Sequence, residues 1–352
     1  LKKRHLQVEE CGQPFKTRGE LIHKFMELLK FDLTKAQKKV LGEIMHYLEK
    51  NEPMNLLLQG DVGSGKTLVA LISLLTGVDN DCQTALMAPT ELLAEQHFLS
   101  IRPFCEALNI TIALVTSSGT AKEKSLLHSS ISNGTTQIII GTHALIQKKI
   151  EFSKLGLIVV DEQHRFGVLQ RDALSKKGLT PHVLIMTATP IPRSLALTLY
   201  GDMNVSFLDE FPPGRIPIET KLFYEDSRNT AYTLLEKEIT EGRQAYVVCP
   251  LIEESESIDL KAAIDVSEEL QNRRLPNFKI ELIHGKLKKE ERQKIMAAFK
   301  NGEIDVLVAT TVIEVGIDVP NATVMLIEHA ERFGLAQLHQ LRGRVGRGKQ
   351  AS

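Results

Sequence analysis

Tryptophan is absent from the 352 residues and only 5% of them are aromatic, so few platforms exist for stacking the bases of a single nucleic-acid strand. The four cysteines lie far apart and form no CxxC pair, which disfavours a disulfide scaffold or a structural zinc site. No apolar run approaches the roughly 20 residues that span a bilayer. Lysines and arginines number 43 against 44 aspartates and glutamates, so any nucleic-acid contact must come from local basic patches.

The remaining composition is that of an ordinary globular protein, with 43% hydrophobic and 25% charged residues. At about 150 residues per domain, the length predicts two domains. The opening LKKRHLQVEE has neither an initiator methionine nor the apolar core of a signal peptide. The chain also stops just after a motif rich in glycine and arginine, so we expect a fragment of a longer protein. Because the cysteines are far apart, we expect them to be reduced thiols.

Short, solidly apolar runs alternate with helical patterns, as expected for buried parallel strands joined by helices. Six runs lie at 55–59, 83–89, 111–117, 137–142, 155–162 and 182–189. Four more follow the proline-rich segment FPPGRIP, at 244–250, 279–285, 304–310 and 322–328. The pattern predicts two α/β domains with doubly wound parallel sheets. We place them at 25–207 and 218–352, the second truncated at its C-terminus, with a connection segment at 1–24 and a linker at 208–217.

The segment GDVGSGKT follows an apolar run and precedes a good helical pattern, which is the setting of a phosphate-binding P-loop. Glycines let the backbone wrap closely around a phosphate, and the N–H groups of the loop and helix bind the anion. Lys66 would reach the β- and γ-phosphates of ATP, and the Thr67 hydroxyl would hold Mg²⁺. The predicted nucleotide contacts of the loop are Gly60, Asp61, Val62, Gly63, Ser64, Gly65, Lys66 and Thr67.

Two acidic residues end the apolar run LGLIVVDE. Given the P-loop, we expect Asp161 to hold Mg²⁺ and Glu162 to orient and deprotonate the attacking water as a general base. This pair favours hydrolysis over transfer to a second substrate.

The complete set of motifs resembles that of superfamily 2 DExH helicases, and most closely the motor core of the RecG family of bacterial branched-DNA helicases. The motifs are FDLTKAQ at 31–37, APTELLAEQ at 88–96, GTHALI at 141–146, DEQH at 161–164, TATPIPR at 187–193, ATTVIEVGIDVPNA at 309–322 and QLHQLRGRVGRG at 337–348. DEFPPGR and LIEESE favour this family over its relatives, Mfd with DEEH at the box and PriA with a zinc-binding cysteine cluster.

The resemblance implies two RecA-like domains with an interdomain ATP cleft. Phe31 would stack on adenine, and Gln37 would form a hydrogen bond with the edge of that base. Gly316 and Asp318 would contact the nucleotide from the second domain. Arg344 and Arg347 lie three residues apart, so they can share one helix face and act as arginine fingers.

The resemblance also implies a DNA path and a coupling element. Non-specific phosphate contacts would come from Pro89, Thr90, Thr142, His143 and Thr311. The alternative for each threonine is a helix N-cap or a turn. The residues that couple the nucleotide state to DNA would be His164, Thr187 and Thr189.

The function implied is an ATP- and Mg²⁺-dependent DNA helicase or translocase motor for branched DNA, such as stalled forks and Holliday junctions, in recombination and repair. We expect a monomer in the cytoplasm, associated with the nucleoid and not with a membrane. The family's wedge domain and C-terminal segment are not visible here, so we expect poor fork remodelling by this chain alone.

Three alternatives remain open. They are an Mfd-type duplex translocase, a P-loop kinase or another non-helicase ATPase, and an inactive nucleic-acid-binding module. No LSGGQ-type signature loop supports a transporter ATPase, and Lys66, Asp161 and Glu162 are all intact.

Overall fold

The computed structural model describes residues 12–116, 120–147, 149–162, 180–188, 203–211, 218–250, 256–310, 319–346, 348 and 352, without the side chains of 256–259, 289 and 336. The chain divides into two compact units, Leu1–Pro212 and Pro213–Ser352. Each unit is built around its own parallel sheet.

The first unit contains a seven-stranded sheet in the order β3-β4-β2-β5-β6-β1-β7. All of its described pairings are parallel. The strands are β1 Asn55–Gly60, β2 Gln83–Met87, β3 Ile112–Val115, β4 Ile138–Gly141, β5 Leu155–Asp161, β6 His182–Thr187 and β7 Asn204–Leu208.

Five α-helices of the first unit are described: α1 Glu20–Leu28, α2 Lys35–Leu48, α3 Lys66–Asp79, α4 Glu91–Ala107 and α5 Ala121–Ser132. A 3₁₀ turn spans His143–Ile146. Helix α2 begins with a capping box, in which Thr34 accepts from the N–H of Gln37 and the Gln37 side chain accepts from the N–H of Thr34. Local sequence thus fixes where this helix starts.

The sheet of the first unit carries a core on each face. Leu56 and Leu58 of β1 belong to the core that includes buried residues of α1 to α4, whereas Leu57 belongs to the opposite core. Successive residues of a strand point to opposite faces, so a strand covered on both sides must be apolar throughout. This explains why the solidly apolar runs mark these strands.

The second unit contains a four-stranded parallel sheet in the order β11-β8-β10-β9. Its strands are β8 Gln244–Val248, β9 Ile280–Ile283, β10 Val306–Ala309 and β11 Ala322–Ile327. Its α-helices are α6 Arg228–Thr240, α7 Glu256–Glu269, α8 Lys289–Lys300 and α9 Leu335–Arg342. Tyr246 and Val248 face one core, and Ala245 and Val247 face the other.

The predicted fold class, two α/β domains with parallel sheets, is confirmed. Each predicted apolar run contains a strand. Strand β7 was not predicted, because its sequence NVSFL has two polar residues and its residues Asn204 and Phe207 are exposed. It therefore lacks the continuous apolar run that marks the other strands. The exact domain boundaries stay a prediction. Within the described residues, no helix combines the length and apolarity needed to cross a membrane.

Candidate nucleotide-binding site

The P-loop joins the end of β1 to the start of α3. Gly63 and Gly65 have φ values of +81° and +92°, a region that side chains rarely adopt. Gly65 is the N-cap of α3, and among the described residues no side chain caps that helix end. The first N–H groups of a helix lack intrahelical partners, so this end can bind an anion.

Lys66 folds back over the loop. Its Nζ donates to the carbonyl oxygens of Gly60 and Asp61, at 2.6 and 2.8 Å. The Ser64 hydroxyl is buried and has no hydrogen-bond partner in the part of the chain that the structure describes. The loop therefore concentrates one ammonium group, one hydroxyl and several amides, which suits a polyphosphate.

Gln37 supports the loop from α2. Its Nε2 donates to the carbonyl oxygen of Ser64 at 3.0 Å, and its Oε1 accepts from the N–H of Thr34 at 3.0 Å. Only 2% of Gln37 is exposed, whereas Phe31 is 60% exposed. The structure thus gives Gln37 a role in holding the loop, and its bond to an adenine edge stays a prediction.

Gly65→Ala is expected to damage this loop. A methyl group at Gly65 would lie 2.2 Å from Nε2 of Gln37, and φ is +92°. We expect the free energy of unfolding to fall by about 1–3 kcal/mol, the usual range for a strained backbone, with nucleotide binding impaired. Thermal unfolding and titration with a fluorescent ATP analogue measure the two effects.

Gly42→Ala is the matched control, since it lies inside α2 and an added methyl group meets nothing within 4 Å. It should raise the free energy of unfolding by about 0.5–1 kcal/mol, because alanine is the better helix former. If both substitutions had the same effect, the special geometry of Gly65 would be refuted.

The two predicted acidic residues lie at the carboxyl end of β5. Asp161 is its last residue and is 8% exposed, and Glu162 follows with φ of +51°. Strand β6 separates β5 from β1, and its last residue Thr187 lies in register with Gln59. Parallel strands present their carboxyl ends at one edge, so Asp161, Thr187 and the P-loop share that edge of the first sheet.

Several groups act on the pKa of Asp161. Burial raises this pKa, but the hydrogen bond with His97, the charges of His97 and Lys66 and the N–H of Glu162 outweigh burial. The result is a pKa below the ordinary value, so the carboxylate is ionised near neutral pH. An ionised carboxylate and the Thr67 hydroxyl are the oxygen donors that Mg²⁺ prefers.

Four of the predicted DNA contacts, all except Thr311, lie at the carboxyl ends of β2 and β4, which are neighbours in the sheet. The N–H of Ala88 donates to the carbonyl oxygen of Gly141 at 2.8 Å, which joins the two segments. Thr90 accepts from the N–H of Leu93 as the N-cap of α4. Thr142 starts the 3₁₀ turn and is buried.

Both threonines therefore act as caps, as in the alternative prediction that they are helix N-caps or turn residues. Pro89 is half-buried and His143 is exposed beside them. DNA binding by Pro89, Thr90, Thr142 and His143 stays a prediction.

Some predicted site residues lie outside the described part of the chain: His164, Thr189, Thr311, Gly316, Asp318 and Arg347. Arg344 is half-buried in the turn that follows α9. Helix α9 ends at Arg342, so Arg344 lies outside that helix. The role of Arg344 and Arg347 as arginine fingers stays a prediction.

The structure adds two residues that sequence reasoning missed. His97 of α4 lies against Asp161, with Nε2 at 2.7 Å from Oδ2. Glu210 accepts a hydrogen bond from the N–H of Ala36 in the first turn of α2, at 2.9 Å. A histidine within the apolar stripe of α4 was a detectable signal, whereas the Glu210 contact joins residues 174 positions apart.

Two family models match this chain. The DEAD/DEAH box helicase family matches residues 34–198, and the helicase conserved C-terminal domain matches residues 228–349. Together with the P-loop, the DEQH sequence and two parallel sheets, these matches define a two-domain protein of the DEAD/DEAH box helicase class.

Individual relatives narrow this class. The chain is 52% identical to the ATP-dependent DNA helicase RecG of Synechocystis, over 100% of this chain and 42% of the relative. It is 50% identical to the ATP-dependent DNA helicase RecG of Thermotoga maritima, over 96% of this chain and 44% of the relative. A structure of RecG bound to a three-way DNA junction matches with a TM-score of 0.80 and 46% identity, over 99% of this chain and 45% of that one.

The chain belongs to the RecG family, as its motifs predicted. It spans less than half the length of these relatives.

Proposed function

We propose that this chain is an ATP-driven DNA motor, a helicase or translocase that acts on branched DNA in recombination and repair. Its RecG relatives are ATP-dependent DNA helicases, and one was solved on a three-way DNA junction. The observation that carries the proposal is that the P-loop with Lys66 and the buried Asp161 of β5 lie at one edge of the first sheet. This combination suits a phosphate with a bound cation.

The P-loop supplies the proposed phosphate site. The amides at the start of α3 and the Ser64 hydroxyl would bind phosphate oxygens, and Lys66 would exchange its two carbonyl partners for the β- and γ-phosphates. Negative charge develops on the phosphoryl group during hydrolysis, so fixed positive charge lowers the barrier. Arg344 and Arg347 are proposed to add positive charge from the second unit.

Thr67 and Asp161 would hold Mg²⁺, which supplies further positive charge beside the phosphates. Within the described residues, no cluster of three or more His, Cys, Asp or Glu could hold a metal alone. The cation would be bound through one carboxylate, one hydroxyl and the nucleotide. Glu162 would take the proton of the attacking water.

The DNA strand would lie along the carboxyl ends of β2 and β4. Backbone amides and hydroxyls beside Thr90 and Thr142 would bind phosphates, which positions a strand without reading its sequence. A motor that moves along any DNA sequence needs contacts that do not depend on the bases. Thr187, with His164 and Thr189, is proposed to couple the nucleotide state to this grip.

ATP turnover in the presence of different DNAs tests the proposal. We would compare no DNA, single strands, linear duplex and a three-way fork of equal phosphate concentration at one stated salt, because phosphate contacts depend on salt. We expect DNA to raise turnover, with the fork more effective than duplex and both above single strands. The low aromatic content is the reason for expecting weak stimulation by single strands.

Turnover that no DNA changes would overturn the motor proposal. Phosphate transfer to an acceptor in place of water would favour a kinase. If the fork stimulated turnover no more than linear duplex, the proposal of a DNA motor would stand, but the proposal that this chain recognises branches would be refuted.

A further inference from the structure

Helix α4 presses a buried histidine against the last residue of β5. Nε2 of His97 lies 2.7 Å from Oδ2 of Asp161, and the two side chains are 9% and 11% exposed. Asp161 belongs to the proposed Mg²⁺ site, whereas no motif gives His97 a role. The contact joins residues 64 positions apart.

The fold explains why the two side chains meet. Alternation along β5 places Asp161 on the same face as Leu157 and Val159. That face is covered by the core that contains the buried stripe of α4, formed by Ala94, Ile101 and Cys105. His97 interrupts this stripe at helical spacing, so its imidazole points into the same layer as the Asp161 carboxylate.

This pair is not ordinary packing. A buried imidazole or carboxylate without a partner is destabilising, so each group requires the other. Helix α4 is held by its Thr90 cap and by its apolar stripe. The Nε2–H donor of His97 therefore has a fixed position relative to the end of β5.

We propose that His97 is a positioning residue, which holds the Asp161 carboxylate in the orientation that binds Mg²⁺ together with the nucleotide. The inference rests on the proposed function and deepens it. With Oδ2 bonded to the imidazole, the orientation of the carboxylate is set before a cation binds. Hydrogen-bond partners of metal-binding carboxylates change metal affinity or activity by about 10–100-fold when they are removed.

Three substitutions in the 352-residue chain separate positioning from packing. His97→Gln keeps an N–H at nearly the position of Nε2, His97→Asn keeps a polar amide that is too short to reach Asp161, and His97→Leu fills the space without a donor. For each we would measure the Mg²⁺ concentration that half-saturates DNA-stimulated ATP turnover. Independently of turnover, we would measure the Mg²⁺ dependence of binding of a fluorescent ADP, with EDTA as the metal-free reference.

We expect His97→Asn and His97→Leu to raise both Mg²⁺ requirements by about 10–100-fold, with unchanged ADP binding in EDTA. His97→Gln should remain within about threefold of the wild type. Thermal unfolding shows which variants fold. If His97→Leu does not fold, the comparison of His97→Gln with His97→Asn alone decides the question. Equal Mg²⁺ requirements in wild type and His97→Asn, or a Gln variant as impaired as the Asn variant, would overturn the inference.

The wild type distinguishes this failure from failure of the proposed function. A wild type that binds Mg²⁺ with ADP but hydrolyses no ATP would overturn the motor, while the binding measurement would still decide the role of His97. If ADP binding by the wild type did not depend on Mg²⁺, both the proposed Mg²⁺-dependent motor and the role of His97 would be overturned.

Discussion

Replacing Lys66 with alanine is expected to remove nearly all ATP turnover. We expect turnover to fall by at least about a hundredfold, because that is the effect of losing one preorganised donor to a charge that develops in the transition state. The ammonium of Lys66 lies inside the loop, bonded to the carbonyl oxygens of Gly60 and Asp61. No neighbouring side chain of the loop GDVGSGKT carries positive charge, so nothing there can replace it. Phosphate release during steady-state turnover with fork DNA measures the loss.

DNA binding by the Lys66→Ala variant should be largely preserved, because the proposed DNA contacts follow β2 and β4, not β1. Lys122→Ala, which removes an exposed lysine from α5, is the matched control and should turn over ATP normally. A Lys66→Ala variant that retained turnover would refute the P-loop assignment. Loss of DNA binding in parallel with turnover would indicate a folding defect.

Glu162→Gln is expected to lower turnover by about 10²–10⁴-fold, the contribution of a general base, while nucleotide binding persists. The substitution keeps the size of the side chain and removes only its ability to accept a proton. Glu162 has φ of +51° directly after β5, and strained residues of this kind concentrate at functional sites. Turnover and binding of a fluorescent ATP analogue should therefore separate in this variant.

Glu151→Gln is the control for the chemistry of the substitution, since Glu151 is an exposed residue just before β5. It should behave as the wild type in both measurements. Equal turnover in Glu162→Gln and wild type would assign the base to another residue. A variant that neither binds nor hydrolyses ATP would instead give Glu162 a structural role.

The predicted and observed folds agree where burial is two-sided. Strands such as β2 and β4 are buried at every residue, so their apolar runs are visible in the sequence. Strand β7 lies at the sheet edge and has two exposed residues, so its five residues form no apolar run. The end of α9 at Arg342, two residues before Arg344, has no comparable signal in the sequence.

The candidate site was predictable to the extent that its residues are neighbours in sequence. The loop from Gly60 to Thr67 and the pair Asp161 and Glu162 each have a local spacing that phosphate chemistry requires. Their supports were not predictable. Gln37 holds Ser64 and His97 holds Asp161 across 27 and 64 positions, and both contacts depend on how helices pack on the sheet.

The α/β class, the P-loop and the paired carboxylates follow from the amino-acid sequence, because strand periodicity and glycine spacing are local properties of a chain. The order of the strands depends on packing, and this order places the P-loop and Asp161 at one sheet edge with Thr187 between them. Packing also decided that a histidine meets Asp161. Buried polar groups are satisfied by whatever partner packing brings near, and that choice depends on contacts between segments far apart in the chain.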